Sequence, residues 1–140
     1  MKKNKVLITG SNGQDGSIMV DYLIQNTNNT VIAATRRTSQ PILQHLIKYI
    51  NNPRVKFINL DLDDPHSINS AISTEKPDFF INFGASAFVP DSWNMPEYTM
   101  KVNAISIIHI LESIRKSCPS CRFYNASSSE IFGKVLEVPQ

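Results

Sequence analysis

Five short stretches of this 140-residue chain are continuously apolar at their centres: 5–9, 30–34, 55–59, 78–82 and 122–126. Runs of that length without polar alternation suit strands buried on both faces of a sheet. Between them the period changes. Ile18, Met19, Tyr22 and Leu23 form one stripe within 17–25 and predict a first helix. Asp64-Pro65 supplies an N-cap and a proline at the first helical position, opening a short helix to about Ile72. Val102, Ile105, Ile108, Leu111 and Ile114 recur at spacings of three and predict a long helix over 96–116. A further helix is expected after Pro41, within 38–52. Strands alternating with helices through short connections predict an α/β fold, a Rossmann-type doubly wound parallel sheet. Right-handed crossovers then give strand order 3-2-1-4-5.

Composition narrows the setting without naming a chemistry. With 41% hydrophobic and 19% charged residues the chain has enough apolar side chains for one core, so a single domain over 1–140 is expected. A net charge of +2 is too small to argue for nucleic acid or a membrane surface. The apolar run after the basic start is only Val6-Leu7-Ile8, too short for a signal-peptide core, and no 18-residue apolar stretch follows. The cytoplasm is the expected location.

Three of the five glycines fall in Thr9-Gly10-Ser11-Asn12-Gly13-Gln14-Asp15-Gly16, between the first strand and the first helix. In a dinucleotide-binding loop Gly10 would allow the tight turn, Gly13 the approach of backbone to pyrophosphate, and Gly16 close packing of helix on strand. Three glycines in a turn can also be loop chemistry alone. The flanking strand and helix favour binding. The second strand ends in Thr35-Arg36-Arg37 with no Asp or Glu to hold a ribose 2′-hydroxyl. Arginine there accommodates a 2′-phosphate, so NADP is the expected cofactor, although two arginines can also be a solvated strand edge. Asp61 and Leu62, after the third strand, could meet the adenine amino group and ring. Asp61, Asp63 and Asp64 could equally cap the next helix. Phe83-Gly84-Ala85-Ser86 ends the fourth strand at the expected topological switch point, where small residues would let a ribose lie against backbone.

The fifth strand runs into Tyr124-Asn125-Ala126-Ser127-Ser128-Ser129-Glu130-Ile131-Phe132-Gly133. Serines and a carboxylate there face the crevice where ligands of this fold bind, although a serine run is more often a plain loop. Taken with the glycine loop, Pro96-Glu97-Tyr98-Thr99 and the run from Arg122 to Lys134, this segment resembles the GDP-mannose 4,6-dehydratases, from the first strand to the last residue. The resemblance implies that Ser128 hydrogen-bonds the sugar's 4-oxygen. It implies that Glu130 is the base that removes the C5 proton and assists loss of the C6 hydroxyl. It also implies GDP-mannose or a related sugar nucleotide as substrate, and a dimer or tetramer. The family's Tyr-x-x-x-Lys pair would lie about two dozen residues after Ser128, and only twelve residues follow that serine. This chain is therefore expected to be a domain truncated before its C-terminal substrate domain and inactive alone. Where the family has Ala-Ala-Gln-Ser, this chain has Gly84-Ala85-Ser86-Ala87, which puts the sugar contacts in question. A sugar-nucleotide epimerase or reductase of the same superfamily, or a non-catalytic NADP-binding module, are the rival readings.

Cys118-Pro119-Ser120-Cys121 closes a helix and precedes a strand, the reverse of a thioredoxin-type motif, and no second pair completes a zinc site. Packing is expected of it, and no metal. Scattered His45, His66 and His109 suggest no site. Phe88 and Trp93 could line a sugar-nucleotide site or pack in the core.

Overall fold

The computed structural model describes residues 3–37 and 45–138, apart from the side chains of residues 129 and 130. Five parallel strands, β1 (Lys5–Thr9), β2 (Thr30–Thr35), β3 (Val55–Asn59), β4 (Phe79–Asn82) and β5 (Arg122–Asn125), form one sheet in the order β3-β2-β1-β4-β5. This is the doubly wound Rossmann-type α/β sheet that the apolar runs imply. The two strands with the most continuous apolar runs occupy its centre, and Leu7, Ile8, Val31 and Ala33 are fully shielded from solvent.

Two cores flank the sheet. On one face Leu7, Ile32 and Phe80 pack under α2 (Pro65–Glu75) and α5 (Ser106–Ser117) through Ile68, Ile72, Ile110 and Ile114. On the other, Val6, Ile8 and Val31 pack under α1 (Gln14–Asn26) and the 3₁₀ turn Ile47–Tyr49. The segment expected to hold a helix after Pro41 falls partly outside the described residues, and 45–52 contains only that turn. Asp64 caps α2 as its sequence implies, accepting a hydrogen bond from the His66 amide at 2.9 Å with Pro65 next in line. At the far end of α1, the Arg54 guanidinium donates to the carbonyls of Thr27 (2.6 Å) and Ile24, satisfying acceptors that the helix leaves open.

Two amphipathic readings require correction. Helix α1 begins at Gln14 and buries Ser17, Val20, Leu23 and Ile24, while Ile18 and Tyr22 of the expected stripe are exposed. In α5 the buried row is Val102, Ser106, Ile110 and Ile114, four residues apart, and Ile105, Ile108 and Leu111 face outward. The cause is geometric. At about 100° per residue, a spacing of three drifts roughly 60° around the helix at every step, whereas a spacing of four stays closer to one face. The long helix over 96–116 is also divided into α4 (Pro96–Met100), a π-helical turn (Lys101–Ile105) and α5. A short α3 (Val89–Asn94), which the periodicity did not indicate, precedes it.

Candidate functional site

All the strands run the same way, so their carboxyl ends meet along one edge of the sheet. There β1 passes into the glycine loop. Gly10 has φ +62°, and a Cβ on it would lie 2.9 Å from the backbone of Phe83 and Gly84. The turn is closed by the Gly13 amide donating to the Gly10 carbonyl at 2.9 Å. A Cβ on Gly16 would fall onto that same carbonyl, so the first turn of α1 can rest on the loop only with glycine there. No side chain caps the Gly13 end of α1, so the first-turn amides of Gln14, Asp15 and Gly16 present the positive end of the helix dipole. Asn12, Gln14 and Asp15 are exposed around it.

Several residues that the sequence reading passed over hold this edge together. Buried Ser11 donates its hydroxyl to the Ala34 carbonyl at 3.0 Å, tying the loop to the end of β2. Thr9, Asn82 and Asn125 occupy matching positions at the ends of β1, β4 and β5. The buried Thr9 hydroxyl donates to Asn82 Oδ1 and accepts from the Gly84 amide at 3.1 Å, while Asn82 Nδ2 donates to Asn125 Oδ1 at 2.9 Å. This polar ladder fixes the heights of three strand ends. The Asn103 side chain, on the π-helical turn, accepts from the Ser86 amide (2.8 Å) and donates to its carbonyl (3.0 Å). One available signal was the polar residue at or next to the end of each of three apolar runs. The Asn103 clamp has no local signal.

Two clefts adjoin along this edge and share residues 84–88. The first, of about 480 Å³, extends from Asn82 and Phe83 to Asn125, Ala126, Ser127 and Ser128. The second, of about 430 Å³, is lined by Gly10, Asn12, Arg36, Asp61, Leu62 and Tyr98 among others. Gly84, Ala85 and Ser86 lie on the shared wall. The cofactor candidates from Gly10 to Ser86 thus sit around the loop and the second cleft, while Ser128 lies in the first. Glu130 has its backbone in the 3₁₀ turn Ser129–Phe132 that follows, and its side chain lies outside the described residues. Ser127, at φ +61°, turns the chain from β5 toward that segment.

Asp61 shapes the turn before α2, whose cap is Asp64. Its Oδ1 accepts from the Asp63 amide at 3.0 Å, closing the turn into α2, and the residue also lines the second cleft. Arg36 lies at the mouth of that cleft and donates from Nη1 to the Tyr98 hydroxyl at 2.8 Å. Phe88 lines both clefts and Trp93 stands 84% exposed on α3, so neither packs in the core. Cys118 and Cys121 are free thiols. Burial raises both above the ordinary thiol range, Cys121 to about 12, which opposes thiolate chemistry at neutral pH. Among the described residues no group of three His, Cys, Asp or Glu side chains could hold a metal ion, and no helix is long and apolar enough to cross a membrane.

Residues 7–140 match the family model of GDP-mannose 4,6 dehydratase. The chain is 35% identical over 147 residues to the GDP-mannose 4,6-dehydratase of Vibrio cholerae serotype O1, covering 100% of this chain and 39% of that protein. It is likewise 35% identical over 150 residues to the Homo sapiens GDP-mannose 4,6 dehydratase, covering 99% of this chain and 39% of the relative. It thus spans about two fifths of the length of the curated relatives it matches. Among solved structures, the Bordetella bronchiseptica enzyme WbmH in complex with NAD+ superposes with a TM-score of 0.79 at 23% identity, over 99% of this chain and 44% of that one. A UDP-N-acetylglucosamine 4-epimerase from Methanobrevibacter ruminantium M1 gives 0.80 at 24%, over 100% and 43%. At such identities these structures establish the fold alone.

Proposed function

This chain belongs to the GDP-mannose 4,6-dehydratase family, and from that premise we propose that it is the NADP-binding part of a sugar-nucleotide 4,6-dehydratase. The complete enzyme would convert GDP-mannose to GDP-4-keto-6-deoxymannose in the cytoplasm as a dimer or tetramer. The observation that carries the reading is the meeting of the two clefts, one ending at a glycine loop and helix N-terminus, the other at Ser127 and Ser128. A dinucleotide laid from Arg36 across Gly10 would bring its far end to the shared wall at residues 84–88, next to a sugar in the first cleft.

The residues fit the cofactor. The loop leaves no room for side chains at Gly10 or Gly16, and the uncapped first turn of α1 suits a pyrophosphate. Arg36 has no carboxylate partner among the described residues, so its charge is available to a 2′-phosphate. NADP+ held by the glycine loop and Arg36 would supply the hydride chemistry, removal at sugar C4 and return at C6. Ser128 holds the sugar's 4-oxygen. Glu130 takes the C5 proton, made acidic by the adjacent C4 ketone, and delivers a proton to the departing C6 hydroxyl. One carboxylate serves as base and then as acid, and the sequence is redox-neutral because the hydride lost at C4 is regained at C6.

The test places these 140 residues in a polypeptide that also carries the Tyr-x-x-x-Lys pair, with GDP-mannose and NADP+ supplied. Loss of water is read by the appearance of the 4-keto-6-deoxy sugar. Glu130→Gln is expected to slow dehydration by about 10²- to 10⁴-fold with NADP+ affinity unchanged. Dehydration at the normal rate in that variant overturns the role of Glu130. Interconversion of sugar epimers without water loss in the unsubstituted protein overturns the dehydratase reading in favour of an epimerase.

A further inference from the structure

The contact between Arg36 and Tyr98 joins elements 62 residues apart in sequence, the end of β2 and the short helix α4. Tyr98 is half-buried, its body packed against the core that contains Leu62 and Val102, and its hydroxyl reaches the rim of the second cleft. Arg36 is exposed, and the Tyr98 hydroxyl is its hydrogen-bond partner among the described residues. A long side chain at a strand end would otherwise sample many rotamers, so this one contact selects those directed at the cleft.

The chemistry of the pair is informative. A guanidinium offers five N–H donors and no acceptor, and only one is used on the phenol oxygen. A phenol that accepts still has its own O–H to donate. Arg36 and Tyr98 therefore present neighbouring donors at the rim, and the neutral phenol leaves the guanidinium charge uncompensated, as a carboxylate would not. Adjacent donors with a full positive charge suit a phosphomonoester dianion. They are poorly matched to a ribose diol, whose hydroxyls need an acceptor.

We infer that Tyr98 is a specificity-determining residue of the second cleft, aiming the Arg36 guanidinium and forming with it the seat of the dinucleotide's 2′-phosphate. The inference rests on the reading of this cleft as an NADP site. Tyr98 acts in two ways, as a donor and as the positioning residue for Arg36, and both vanish with its hydroxyl.

The test is a double-mutant cycle in the polypeptide that carries these 140 residues together with the Tyr-x-x-x-Lys pair, with binding of NADP+ and NAD+ followed by titration calorimetry. Tyr98→Phe keeps the packed ring and should weaken NADP+ about five- to tenfold while changing NAD+ less than about twofold. Arg36→Ala should weaken NADP+ by about a hundredfold, again with little change for NAD+. In the Arg36→Ala background the positioning role is gone and only direct donation remains, so the further effect of Tyr98→Phe should shrink to about two- to threefold. Equal losses for both cofactors in Tyr98→Phe would mean that the hydroxyl only supports the fold, and an undiminished effect without Arg36 would mean that it does not aim the guanidinium; either overturns the inference. If Arg36→Ala discriminates between the cofactors and Tyr98→Phe does not, the inference fails and the NADP reading stands. If neither variant discriminates, or the unsubstituted chain binds neither cofactor, both fail.

Discussion

Two turns at the carboxyl edge of the sheet pass through the same left-handed backbone conformation, Gly10 at φ +62° and Ser127 at φ +61°. Their surroundings are opposite. Around Gly10 the backbone of Phe83 and Gly84 is 2.9 Å from where a side chain would begin, and α1 rests on the turn through Gly16. Ser127 lies exposed beyond the edge strand β5, whose residues alternate between exposed and half-buried. The loop proposed to hold cofactor is thus shaped by contacts within this chain, while the segment proposed to meet the sugar hangs from the least covered strand. A phosphate-binding loop needs its amides fixed in advance. A serine loop that meets substrate takes its geometry from more than β5.

The largest expected effect lies on the crowded side. Gly16→Val would put a branched side chain onto the Gly10 carbonyl, where neither the loop nor the helix can move without breaking the contacts of Ser11 and Thr9. Overpacking of this kind costs about 3 kcal/mol or more. The measurement is urea unfolding of the 140-residue chain together with NADP+ titration, and binding should be lost. A Gly16→Val chain of unchanged stability that still binds NADP+ would show that the loop is not packed as described.

An intermediate effect is expected where the two regions join. The ladder from Thr9 through Asn82 to Asn125 is the polar link between the loop side and the β5 side. Thr9→Val keeps the shape but removes the donor to Asn82 and the acceptor for the Gly84 amide, leaving buried polar groups unpaired. The cost should be about 2 kcal/mol, read as a shift in the unfolding midpoint. NADP+ affinity should fall with it, since Gly84 lies on the wall between the clefts. A change below about 0.5 kcal/mol would mean that water replaces the hydroxyl and that the two regions are not coupled through this ladder.

The same contrast decides what could be read from sequence. The sheet order followed from apolar runs because β1 and β2 are covered on both faces, and burial of that kind writes itself into every residue. The glycine loop was legible for a similar reason: crowding leaves glycine as the residue that fits. The inner faces of α1 and α5 were misassigned because Ile18, Tyr22, Ile105, Ile108 and Leu111 are apolar yet exposed, so hydrophobicity alone pointed to the wrong side. Contacts such as Asn103 with Ser86 and Tyr98 with Arg36 pair residues whose neighbours give no hint of each other, and only the folded chain brings them together.

The smallest effect is expected at Ser127. A non-glycine residue at φ +61° holds a conformation that costs about 1 kcal/mol relative to the common regions. Glycine removes that strain but gains freedom in the unfolded chain, so the two terms largely cancel. Ser127→Gly should therefore stabilise the chain by at most about 0.5 kcal/mol in urea unfolding and leave NADP+ affinity unaltered. Gly10→Ala, at the same φ, should cost more than 1 kcal/mol, because strain and crowding there act in the same direction. The two substitutions remove a side chain from one left-handed turn and add one to the other. If Ser127→Gly instead destabilised the chain as much as Gly10→Ala, the Ser127 side chain would hold a tertiary contact of its own. The β5 side would then be as firmly built as the glycine loop, and the division between the two turns would not stand.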